Sequence, residues 1–122
     1  MYGRMDPCAI GGADISFFNG SCLVQISFGK FDLGLNFDGP LSSVMIQSSF
    51  GIQPLDGALK KYDISDVTQL RDFLNCDVHS ASWGAQGTLI LEFQGGDQLM
   101  IFDDSDQYES YVIRRGTTTI VV

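Results

Sequence analysis

The sequence predicts an α+β domain built mostly from antiparallel strands, and three observations carry that prediction. Apolar residues recur at every second position over several short runs, the signature of strands with one buried face. Glycine, asparagine and aspartate punctuate those runs at hairpin-like intervals. Only one stretch, Asp66 to Leu74, carries apolar residues at helical spacing, through Val67, Leu70, Phe73 and Leu74.

Taken in order, Asp14 can cap a short helical turn through Phe17 and Phe18, which Asn19-Gly20 ends. Ser21 to Phe28 places Cys22, Val24, Ile26 and Phe28 on one face. After the Gly29-Lys30 turn, Phe31 to Phe37 does the same with Phe31, Leu33, Leu35 and Phe37. A third strand is expected near Ser43 to Phe50. Gly51 to Asp63, with Pro54, Asp56-Gly57 and Lys60-Lys61, reads as an irregular connection. The helix begins at Asp66 and stops at Asn75-Cys76. Strands then follow at Val78 to Trp83, Thr88 to Phe93 and Gln98 to Phe102, and a hairpin at Ser110 to Ile113 and Thr117 to Val122.

The two halves echo each other. Moving fifty-six positions on from Phe17, Asn19, Leu33, Leu35, Phe37 and Gly39 gives Phe73, Asn75, Leu89, Leu91, Phe93 and Gly95. The expectation is two αβββ units, 14–50 and 66–113, packed as one domain over 1–122, with the carboxy-terminal hairpin added to the second.

Composition narrows the function. A chain of 122 residues, 44% hydrophobic with nine phenylalanines, suits a single folded domain, and no apolar run approaches a membrane span. The first residues lack a basic stretch followed by an apolar one, so the expected setting is a soluble protein of the cytoplasm. Three widely spaced cysteines, Cys8, Cys22 and Cys76, suggest buried free thiols. Fifteen acids against seven bases leave a net charge of −8, which disfavours nucleic acid and membrane surfaces and favours a basic protein partner. No glycine-rich phosphate loop precedes a capped helix, and no ligand spacing implies a metal or other cofactor.

Catalysis has few candidates. His79 is the single histidine, and Cys76 or Ser80 could serve it as a nucleophile only if the fold joined groups that a strand points to opposite faces. An exposed strand histidine is the plainer expectation. The most concentrated chemistry is the acidic segment after Phe102, where Asp103, Asp104, Asp106 and Glu109 stand beside Tyr108 and Tyr111. Calcium would need oxygen ligands of that kind, yet the spacing of an EF-hand loop is missing. A structural role is also open: Asp104 or Ser105 capping a turn, Tyr108 packing down, and Glu109 pairing with Arg114 or Arg115.

The pattern Gly87-Thr88-Leu89-x-Leu91-x-Phe93-x-x-Gly96-x-x-Leu99, followed by Asp103-Asp104-Ser105-x-x-Tyr108-Glu109-Ser110-Tyr111-x-Ile113, resembles a family of small bacterial immunity proteins found beside polymorphic and contact-dependent toxins. Gln25-x-x-Phe28-Gly29 and Leu35-x-Phe37-Asp38-Gly39 are similar to its first half, so the resemblance runs from about Ile15 onward. It implies a non-enzymatic protein that binds a cognate toxin domain in the cytoplasm, and it carries over no site residue. A basic nuclease toxin would be attracted by an acidic surface. The expected contacts are Asp103, Asp104, Asp106 and Glu109, with Tyr108 and Tyr111 as anchors and Trp83 as a further candidate. Two alternatives stay open: a homo-oligomeric binding module pairing through Thr117 to Val122, and a small hydrolase using His79.

Overall fold

The computed structural model describes residues 13–38, 42–105 and 109–122. Ten strands dominate it: β1 Leu23–Phe28, β2 Leu33–Phe37, β3 Ser42–Ile46, β4 Ser49–Gln53, β5 Lys60–Asp63, β6 Val78–Trp83, β7 Leu89–Phe93, β8 Gln98–Phe102, β9 Tyr111–Arg115 and β10 Thr118–Val121. They form two five-stranded antiparallel sheets, ordered β1-β2-β3-β9-β10 and β5-β4-β8-β7-β6. Each sheet is thus a three-stranded meander from one half of the chain completed by a hairpin from the other.

The alternation seen in the sequence decides which side chains go inside. Leu33, Leu35 and Phe37 of β2 and Leu89, Leu91 and Phe93 of β7 are buried, and with Val44, Ile46, Phe50, Leu99, Ile101 and Ile113 they make one core shared by both sheets. Phe18 meets Phe37 edge-on at 5.1 Å between ring centroids, and Phe73 meets Phe93 at 4.7 Å. Burying these large apolar groups is the main source of stability, at about 1.5–3 kcal/mol per fully buried side chain.

Three expectations change. The helix expected over Asp66 to Leu74 is a 3-10 helix, Val67–Phe73, and the turn after Asp14 is one too, Ser16–Phe18. Its buried Leu70 and Phe73 and half-buried Val67 stand three residues apart, the period of a three-residue turn. A segment this short gains too little from α-helical propagation to override that spacing. The α component of the expected class is therefore represented among the described residues by 3-10 turns. Nor is Gly51 to Asp63 irregular throughout: it holds the end of β4 and all of β5, and the expected strand Ser43 to Phe50 breaks at Gln47-Ser48 where the chain changes sheets.

The halves meet through matched hydrogen bonds. Gly20 N donates to the Val78 carbonyl at 2.8 Å and Asn75 N to the Leu23 carbonyl at 2.7 Å. Leu23 N donates to the Cys76 carbonyl at 3.1 Å, and Val78 N to the Ser21 carbonyl at 2.8 Å. Gly20 and Asn75 both adopt left-handed backbone, with φ of 80° and 66°. These contacts match Phe18 with Phe73 and Gly20 with Asn75, a spacing of fifty-five. The strand register restores fifty-six at Leu33 and Leu89, because four residues join β1 to β2 and five join β6 to β7. Cys22 and Cys76 are half-buried free thiols, and Cys8 lies outside the described residues. No helix among the described residues is long and apolar enough to cross a membrane.

Candidate partner-binding surface

The acidic segment occupies the connection between β8 and β9. Two residues, Gln47 and Ser48, make the corresponding crossing from β3 to β4, whereas eight, Asp103 to Ser110, make this one. Asp103 accepts a hydrogen bond from Ser110 Oγ at 2.6 Å, and that same oxygen accepts from Ser105 N at 3.1 Å, so Asp103 helps to fold the connection onto the fully buried Ser110. Asp104 reaches across to the neighbouring strands: Lys61 Nζ lies 2.7 Å away, and Ser49 Oγ donates to it at 2.7 Å. Partial burial pushes the Asp104 carboxyl up, but the bonds from Lys61 and Ser49 outweigh it and hold the group below its ordinary value. Glu109 is exposed. Asp106 and Tyr108 lie outside the described residues.

Tyr111 is not placed to anchor a partner. It is fully buried in β9, and its hydroxyl donates to the Gly87 carbonyl. Burial, with the Asp103 charge adding to it, pushes its phenol well above the usual range. The alternation Tyr111, Ile113 inward against Val112 outward was the signal for this. Trp83 is half-buried against the core and its Nε1 donates to the Ala13 carbonyl at 3.0 Å, which accounts for its polar edge without a partner.

His79 is exposed at the end of β6, where the register with β7 shifts between Val78 and Ser80. Cys76 Sγ donates to the Asp72 carbonyl at 3.3 Å. Arg115, one of the two arginines expected to pair with Glu109, places its guanidinium 5.1 Å from the centre of the Phe17 ring.

A feature the alternation concealed stands next to the acidic segment. Phe28 and Phe31, at the end of β1 and in the turn after it, are 70% and 73% exposed. They line an open groove of about 750 Å³ together with the apolar Ile64 and Val67 and the charged Lys30, Asp63 and Glu109. Phe28 lies opposite Leu33 in the register, on the core-facing side of β1, but at the strand end. Period-two patterning reports the face of a residue, not how far the opposing sheet extends to cover it. The sequence signal was a pair of phenylalanines flanking a two-residue turn, Phe28-Gly29-Lys30-Phe31.

Gln47 and Asp63 line both this groove and a shallower hollow, about 550 Å³, formed by Ser48, Ser49, Lys61, Tyr62, Asp104 and Ser105. The apolar groove and the acidic connection are therefore one continuous surface. Asp63 accepts from Ser65 Oγ at 2.7 Å and Ser65 N at 3.1 Å, and these bonds hold its carboxyl below the ordinary value, so the groove keeps a fixed negative charge at neutral pH.

Comparison of the chain with protein-family models, with curated proteins and with solved structures gives no match in any of the three.

Proposed function

We propose that this chain is a non-enzymatic binding protein of the immunity type, which neutralises a cognate bacterial toxin domain in the cytoplasm through the surface just described. One observation carries the reading: two phenylalanines more than two-thirds exposed stand beside ionised carboxylates on a single continuous surface. Exposed aromatic clusters rimmed by charge are typical of protein interfaces, since the rings supply the desolvated area while the charges set orientation and encounter rate. The net charge of −8 favours a basic partner, which a nuclease domain would be. The exposed Glu109 and the ion-paired Asp104 are its acidic contacts on this reading, with Phe28 and Phe31 as anchors in place of the buried Tyr111.

The duplication reading belongs here as well. The matched contacts of Gly20 and Asn75, and of Phe18 and Phe73, support two copies of one unit that exchange their terminal hairpins. On that reading the longer β8–β9 connection is an elaboration of the second copy, placed on the surface that meets the partner.

The experiment pairs this chain with candidate toxin domains, beginning with any encoded beside its gene. Co-expression in a susceptible host should restore growth, and the two purified proteins should form a stoichiometric complex. A host that dies despite folded, abundant protein counts against the proposal.

A second reading, self-association, is favoured by β10. Of the four sheet edges, β5 carries Lys60 and Lys61, and β1 and β6 are interrupted by register shifts, whereas β10 has neither charge nor shift. A solution mass that stays at one chain across a wide concentration range would exclude it.

A further inference from the structure

Resting on the partner-binding reading above, we infer that the Phe28–Val67 groove receives one large apolar side chain from an extended segment of the partner, flanked in that segment by lysine or arginine. The fold itself contains the precedent. Phe28 and Trp83 hold matching positions: each closes the first strand of a meander, opposite Leu33 and Leu89 respectively, just before the turn. Around Trp83 the position is partly covered from within: the ring is half-buried against the core, and Ala13, just before the Ser16–Phe18 turn, accepts its indole hydrogen. Around Phe28 the ring stays 70% exposed, and Ile64 and Val67 line the open groove beside it. A chain segment held against this aromatic position is thus a contact this architecture already makes once.

The charges select the flanks. Asp63 and Glu109 line the groove, and Asp104 stands in the adjoining hollow with its charge largely answered by Lys61. Lys30 is the one cation lining the groove among the described residues, and its ammonium lies 5.4 Å from the centre of the Phe31 ring, drawn to that face. The rim therefore presents two carboxylates against one ammonium engaged with an aromatic ring. Basic residues on either side of the inserted side chain meet carboxylates, whereas acidic ones meet repulsion. A groove of about 750 Å³ is ample for a phenylalanine, leucine or methionine side chain and part of its backbone.

The test uses the full chain, isotopically labelled, and three short synthetic peptides: a central phenylalanine flanked by lysines, the same with alanine at the centre, and the same with glutamates as flanks. Amide chemical shifts should move saturably around Phe28, Ile64 and Val67 with the first peptide. Binding of the other two should be weaker by roughly tenfold or more. Phe28→Ser should abolish the response while the remaining spectrum stays that of the folded protein, and Phe31→Ser provides a second variant should the first be unstable. Equal binding of the phenylalanine and alanine peptides, or shifts confined to other surfaces, would overturn the inference. The two proposals fail separately. Toxin neutralisation that persists in a folded Phe28→Ser variant removes the groove and leaves the immunity reading, whereas peptide recognition without neutralisation does the reverse.

Discussion

The Tyr111 hydroxyl donates its hydrogen to the main-chain carbonyl of Gly87, fastening the start of β9 in one sheet to the turn before β7 in the other. Both residues are buried, so water cannot replace either partner. Tyr111→Phe should keep the ring packing and leave that carbonyl unsatisfied, a loss of about 1–3 kcal/mol. Urea unfolding should show a lower midpoint with an unchanged slope.

The same tyrosine makes the fold sensitive to alkali. Its folded-state pKa is raised above the ordinary value near 10, so the unfolded chain ionises there while the folded chain stays neutral. The stability this contributes is complete below about pH 10 and is lost progressively as pH rises further, toward the folded-state value. Unfolding free energy measured from pH 8 upward should fall beyond pH 10. The Tyr111→Phe variant should be the flatter of the two curves.

Acid acts through carboxylates whose pKa values lie below the ordinary 3.8. Asp104, held by Lys61 and Ser49, and Asp14 and Asp63, held by Ser16 and Ser65, are all shifted downward. A depressed folded-state pKa contributes stability that is present above the unfolded value and lost as pH falls through the folded one. Stability should therefore hold down to about pH 4 and decline below it. Asp104→Asn should reduce that decline, read by thermal unfolding across the acid range. The exposure of Lys61 and Asp104 keeps the effect at neutral pH to about 1 kcal/mol or less.

Backbone conformation gives a further test at the junction of the halves. Gly20 has φ of 80° with open space where a Cβ would sit, and Asn75 performs the same turn at 66°. Gly20→Ala should cost about 1–2 kcal/mol from left-handed strain alone. Gly20→Asn should cost less, because asparagine tolerates that region. Chemical denaturation of both variants decides the order, and equal losses would mean that something other than φ governs the turn.

Much of the fold was legible before any coordinates. Leu33, Leu35 and Phe37, and Leu89, Leu91 and Phe93, were placed on single faces by alternation alone, and those faces are buried. The sheet change at Gln47-Ser48 is not legible, because no glycine or proline marks the break and pairing partners distant in sequence leave no local mark. The helical segment was located but mistyped, since spacings of three and four overlap within seven residues. At the candidate site, Asp104 was recognised as acidic surface, but its pairing with Lys61 required β5, which the sequence did not reveal. Tyr111 is buried and Phe28 exposed, the reverse of what composition and alternation respectively suggest, for one physical reason. A side chain's exposure depends on what the opposite sheet covers, and only tertiary structure fixes that.

On the proposed reading, Phe28 and Phe31 anchor a protein partner on the acidic surface. The direct measurement is titration calorimetry of the toxin domain that co-expression pairs with this chain against the wild-type chain and the Phe28→Ser/Phe31→Ser variant, the fold of each verified beforehand. Loss of two anchoring rings should weaken binding by about thirtyfold or more, and higher salt should weaken the wild-type complex further. Equal affinity of the two proteins for the toxin domain would contradict the account.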